Sequence, residues 1–236
     1  MKSLIIAKRF CGPSTSANGG YFAGRVAALA PHIVTVRLMV PPPLETELSV
    51  VESQDGRIEV RHGDILIGEA IPATLDLQTP PPPTYVEAVE ASCNYVGFVD
   101  HRFPTCFVCG INRSEGDGLR IYAGAVPGSN IVAAPWTPDS SLDSGDGTIR
   151  PEFLSAALDC PGYYAVTPDR RIMLLAQFTA QWDRAVRVGE KCTVIGWGLG
   201  SSGRKHEAGT ALYNSEGELC GRARALWIEP RGTVTG

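Results

Sequence analysis

Alternation of apolar and polar positions along the chain predicts short strands, interrupted twice by small-residue segments that read as helices. The apolar start, Leu4-Ile5-Ile6-Ala7, is broken by Lys8 and predicts an opening strand rather than a leader segment. In the first half, Gly20 to Ala30 predicts a helix stopped by Pro31. Strands are expected over His32 to Val40, Glu45 to Val51 and Arg57 to Leu75, the last folded back at His62-Gly63-Asp64. The second half opens with strands over Gly118 to Val126 and Asn130 to Pro135, then a helix from Pro151 to Asp159 that runs on toward Val166. Strands follow over Arg171 to Asp183, Glu190 to Leu199 and His206 to Ile228, the last folded back at Asn214-Ser215-Glu216-Gly217-Glu218. Helix, long strand, strand, hairpin thus occurs twice in the same order. Hairpin links are too short for parallel crossovers, so the expected class is α+β with antiparallel sheets. Both helices are rich in Ala and Gly, which suits helices buried on most sides within curled sheets.

The run Thr79-Pro80-Pro81-Pro82-Pro83-Thr84 is an extended linker. It leads into Tyr85-Val86-Glu87-Ala88-Val89-Glu90-Ala91, one short predicted helix, and then an irregular stretch. The expected organisation is a first domain at 1–79, a connector at 80–105 and a second domain at 106–236. With 236 residues, 19% charged side chains and a net charge of −4, nothing suggests a nucleic-acid footprint. No stretch approaches the roughly 20 apolar residues that cross a bilayer. Seven cysteines, an odd and scattered set, read as reduced thiols in a cytoplasmic protein.

Asn18-Gly19-Gly20 at a helix start resembles the His-Gly-Gly that opens the central helix of phenylacetyl-CoA-type hotdog thioesterases. Arg150-Pro151-Glu152-Phe153-Leu154-Ser155-Ala156-Ala157-Leu158-Asp159 resembles the same helix in the second half, ending on that family's acidic residue. Cys106-Phe107-Val108-Cys109-Gly110 followed by Gly118-Leu119-Arg120-Ile121 is similar to its lead-in to the first strand, and Gly203 to Cys220 resembles its closing hairpin. Two such units in one chain resemble acyl-CoA thioesterase II. The resemblance implies a double hotdog, two helices each wrapped by an antiparallel sheet. It further implies an acyl-CoA or related thioester as substrate, with coenzyme A entering only as part of it, and no separate cofactor or metal. Association of such chains into a homo-oligomer is left open.

Thioester hydrolysis needs a carboxylate to activate water or to attack, and donors aimed at the developing oxyanion. Gly19 and Gly20 carry N–H groups at a helix start, whereas Pro151 at the matching place has none. Counting nine residues onward, Arg150 leads to Asp159 but Asn18 leads to Ala27. The donors therefore belong to the first half and the acid to the second, and the resemblance places such a site where two helices meet. Each residue has a plainer reading: Asp159 as a cap at the Pro161 kink, Gly19-Gly20 as a close-packing turn, Asn18 as an N-cap. Thioesterase II proteins flank their Asp with Thr and Gln; here Leu175 and Ala225 stand at those places, with Gln177, Thr179 and Gln181 as the nearest polar side chains.

Tyr21, Tyr163, Tyr164 and Trp182 are candidates for lining the substrate pocket, and Arg204 and Lys205 suit coenzyme A phosphates. Cys93, His101, Cys106 and Cys109 form a weak zinc pattern with a single C-x-x-C, and Asp139, Asp143 and Asp146 lack calcium-loop spacing. No Gly-x-Ser-x-Gly elbow is present. The expected activity is acyl-CoA thioester hydrolysis, with a non-catalytic acyl-CoA or lipid binder and a hotdog hydratase as rivals.

Overall fold

The computed structural model describes residues 2–167 and 171–231. Strands β1 (Lys2–Leu4), β2 (Val34–Leu38), β3 (Leu48–Glu52), β4 (Ile58–His62) and β5 (Ile65–Pro72) surround helix α1 (Gly19–Ala27). After helix α2 (Tyr85–Ser92) come β6 (Gly124–Ala125), β7 (Ile131–Trp136), helices α3 (Pro151–Ala157) and α4 (Cys160–Val166), and then β8 (Leu174–Trp182), β9 (Cys192–Ser202), β10 (Lys205–Tyr213) and β11 (Leu219–Ile228).

Among the described residues the strands form a single antiparallel sheet of eleven in the order β1-β3-β4-β5-β2-β8-β11-β10-β9-β7-β6. Two separate sheets were expected from the repeat. Instead β2 and β8 pair across the centre, with Thr35, Val36 and Arg37 opposite Thr179, Phe178 and Gln177. That pairing satisfies the backbone edge each half would otherwise expose. Outward from this seam the two sides read alike: the strand after the helix, then the hairpin, then the second strand, then the strand before the helix. Val34 and Val36 are buried under α1, while Thr35 and Arg37 point to the opposite face, the period-two pattern of a strand with one covered side.

Two expected elements differ. Of Gly118 to Val126 only Gly124–Ala125 is strand. Arg120 has φ 54°, which breaks an extended run, and the amides of Leu119 and Ile121 bond the carbonyls of Phe107 and Val108 instead. The second-half helix is split at Leu158 and Asp159, because Pro161 has no N–H for the carbonyl of Ala157.

Helix α2 follows the proline run and packs on the sheet. A capping box joins Thr84 and Glu87, and Ala88 and Ala91 of α2 bury against Ala133, Ile195 and Trp197 on the sheet. No described helix is long and apolar enough to cross a membrane.

Candidate functional site

α1 and α3 pack closely because their contact face is made of small residues. A Cβ on Gly24 would stand 2.7 Å from Glu152 Cα, and one on Gly20 would stand 2.8 Å from the Ser155 carbonyl oxygen and 2.5 Å from Asp159 Cβ. These two glycines, four apart on one helix face, let the start of α1 reach the end of α3.

At that crossing Asn18 does two jobs. Its side-chain oxygen accepts from the Tyr21 amide at 2.9 Å and caps α1, and its side-chain nitrogen donates to Asp159 Oδ2 at 2.6 Å. The Gly20 amide donates to the same carboxylate oxygen at 3.1 Å. The three residues 18, 20 and 159 are therefore joined, from opposite halves, and all are buried. Asp159 Oδ1 is buried without a hydrogen-bond partner among the described residues. Burial drives the carboxyl up to about 7; the bonds from Gly20 and Asn18 pull the other way, and Cys106 nearby adds to the rise.

Asn18→Ser separates the two jobs, since Ser caps a helix about as well as Asn but is too short to reach Asp159. A loss of about 1.5–3 kcal/mol in urea unfolding is expected for the missing bond to a charged group. Unchanged stability would reduce Asn18 to a cap.

Asn18, Gly19 and Asp159 line a cavity of about 260 Å³ between the halves, walled by Leu38, Tyr163, Leu175, Trp227 and Arg204. Leu175 packs on Gly19, where a Cβ would lie 2.8 Å from its Cδ2. At the pseudo-symmetric position a second cavity, of about 430 Å³, is lined by Ala27 and Pro151 with Phe178 and Trp182. The acid and helix-start donors found at the first are thus replaced there by a methyl group and an imino ring.

The structure does not gather all the expected site residues. Tyr21 is buried in an aromatic cluster, stacked on Phe10 with ring centroids 4.2 Å apart and near Phe107 and Phe153, and its hydroxyl accepts from Arg25. Gln177 and Thr179 face a separate cavity with Thr35, Glu207 and Arg224, and the Thr179 and Thr35 hydroxyls bond at 2.7 Å. Trp182 lines the second cavity, and Lys205 is exposed in β10. Tyr163, Tyr164 and Arg204 do line the first cavity; the Arg204 guanidinium donates to the Glu229 carbonyl, also in its lining. Asp143 and Asp146 accept from amides within their own loop.

The cysteine grouping also changes. Cys93 is exposed at the end of α2, and its thiol donates to the Val89 carbonyl. His101 Nε2 is engaged by the Tyr95 hydroxyl at 2.8 Å and the Cys109 carbonyl at 2.9 Å, and burial holds its pKa below the ordinary value. Cys106 and Cys109 meet Cys160 instead, at the floor of the first cavity. The residue that sequence reasoning missed is Cys160, whose position next to Asp159 was the available signal.

No protein-family model matches the chain, and no protein of curated function matches it in sequence. Solved structures do match. The tesB protein of Mycobacterium avium subs paratuberculosis superposes with a TM-score of 0.62 at 14% identity, over 93% of this chain and 89% of that one. A Novosphingobium aromaticivorans structure bearing a thioesterase name gives 0.61 at 11% identity, over 97% and 94%. The chain shares their fold. At such identities the likeness extends to architecture over nearly the whole length, and the chemistry must be argued from the residues.

Proposed function

We propose that the chain is a double hotdog hydrolase of acyl-CoA thioesters, with units at 1–79 and 106–236 joined by the connector 80–105. The observation that carries this reading is the buried Asp159 carboxylate, held by Asn18 and Gly20 of the other half beside a largely apolar cavity, with one oxygen left without a partner among the described residues. Asp159 Oδ1 takes a proton from water as that water attacks the thioester carbonyl carbon, or itself attacks that carbon to form an acyl anhydride on Asp159 that water then hydrolyses. The Gly20 amide is occupied by Asp159, and the Tyr21 amide by Asn18. In this state neither donates to a substrate, and the oxyanion role falls to Gly19, at the first position of α1, where helix amides lack intrahelical partners. Collapse breaks the carbon–sulfur bond; the acid and the coenzyme A thiol are the products, and the thiol sulfur recovers the proton.

The cavity, about 260 Å³, lies a little below the range of small-molecule pockets, which start at roughly 300 Å³. It suits a short or single-ring acyl group packed on Tyr163, Leu175 and Trp227, with Arg204 for a phosphate. A second reading, a non-catalytic acyl-CoA binder, is favoured by Leu175, an apolar side chain where the resembling thioesterases carry a polar partner of the acid.

Hydrolysis of acetyl-, benzoyl-type and palmitoyl-CoA with thiol detection tests both readings. Turnover of the short or aromatic esters above that of the long one is expected. Binding of all three without thiol release selects the binder.

A further inference from the structure

Three thiols that the proposed hydrolysis does not use converge under the cavity. Cys106 and Cys109 lie in the turn that follows the connector, and Cys160 opens α4. Their sulfurs all lie within 4.8 Å of one another, with Cys106 and Cys160 at 3.8 Å. In a tetrahedral site with metal–sulfur bonds of about 2.3 Å, the sulfur–sulfur edges come to about 3.8 Å.

The backbone around the C-x-x-C pair is an independent observation. Gly110 closes the turn with its amide on the Cys106 carbonyl at 2.9 Å, and a Cβ there would stand 2.5 Å from that oxygen. A side chain at 110 would therefore open the turn that presents the two sulfurs together.

We propose that Cys106, Cys109 and Cys160 bind one thiophilic divalent cation, zinc in the first instance, with the fourth coordination position facing the cavity. The all-sulfur donor set selects soft or borderline cations over magnesium or calcium. His101 does not complete the set, because its Nε2 is committed to Tyr95 and to the Cys109 carbonyl. Binding replaces the thiol protons, which pass to solvent, with metal–sulfur bonds. The cation would tie the 106–109 turn to α4 at the residue after Asp159 and so hold the segment that carries the carboxylate. This goes beyond the hydrolysis reading and does not depend on it.

The test is a cobalt(II) titration of the full chain, stripped with chelator and kept reduced and anaerobic. Wild type should show thiolate-to-cobalt charge-transfer absorption that saturates at one cobalt per chain and is bleached by added zinc. Cys93→Ser, at the exposed thiol, should leave the titration unchanged, and Cys160→Ser should abolish the absorption. Wild type without thiolate-to-cobalt absorption overturns the proposal, as does absorption that survives Cys160→Ser. The wild-type titration decides even where Cys160→Ser does not fold. The readout is metal binding, so its failure leaves the thioesterase reading standing, and a failed hydrolysis screen leaves this one standing.

Discussion

Asp159→Asn is expected to lower thioester turnover by about 100-fold or more, the scale of a lost acid–base group, while the protein stays folded. The second half of that expectation follows from the hydrogen bonds. An asparagine side-chain oxygen can accept from both Asn18 Nδ2 and the Gly20 amide, as Asp159 Oδ2 does. Its amino group then takes the place of Oδ1, which has no partner to lose among the described residues. The substitution also removes an ionisable group whose charge is disfavoured by burial, so unfolding in urea should show no loss of stability. Activity and stability are thereby separated. Steady-state kinetics on the best ester from the screen, set beside the urea midpoint, reads both. Turnover equal to wild type would take Asp159 out of the mechanism and leave it as a group that fills the break between α3 and α4. Loss of both activity and stability would mean that the carboxylate is a structural ion and would favour the binder.

The repeated order of elements was legible because turn chemistry is local. Gly63 and Gly217, with φ of 57° and 76°, sit in the hairpin turns, where left-handed backbone favours glycine. The juxtaposition of Asn18, Gly20 and Asp159 was legible for a different reason: the two halves lose complementary parts, a donor at Pro151 and an acid at Ala27, and the difference can be counted along the chain. The β2–β8 seam was not legible. A half-buried edge strand reads the same whether its free edge meets solvent, a second chain or the other half. Thr179 and Gln177 were placed near the acid because they follow Leu175 on one strand. The irregular register between Leu226 and Trp227, opposite this stretch, goes with Leu175 and Phe178 both being buried and Gln177 and Thr179 turning to the other face. Tyr21 was expected in the pocket from its position after Gly20, but on a helix the next residue points about 100° away, here into the Phe10, Phe107 and Phe153 cluster.

Gly20→Ala and Gly24→Ala form a matched pair that separates helix packing from the site. Both place a methyl group against α3. At Gly24 the new carbon would lie 2.7 Å from Glu152 Cα, and at Gly20 it would lie 2.8 Å from the Ser155 carbonyl oxygen. In each case the obstacle includes backbone, which cannot swing aside as a flexible side chain does. Overpacking of this kind costs about 1–3 kcal/mol, so both variants should shift the urea midpoint by similar amounts. Only Gly20→Ala also crowds the carboxylate, at 2.5 Å from Asp159 Cβ and 3.1 Å from its Cγ. Moving α1 away there lengthens the Gly20 and Asn18 bonds that orient Asp159, and displacements of about 1 Å in a catalytic group cost on the order of 100-fold in rate. Turnover should therefore fall steeply in Gly20→Ala and stay within a few-fold of wild type in Gly24→Ala, with both assayed below their unfolding transitions. Equal retention of turnover in the two would show that Gly20 serves the helix crossing alone, and that the carboxylate needs no help from the first half.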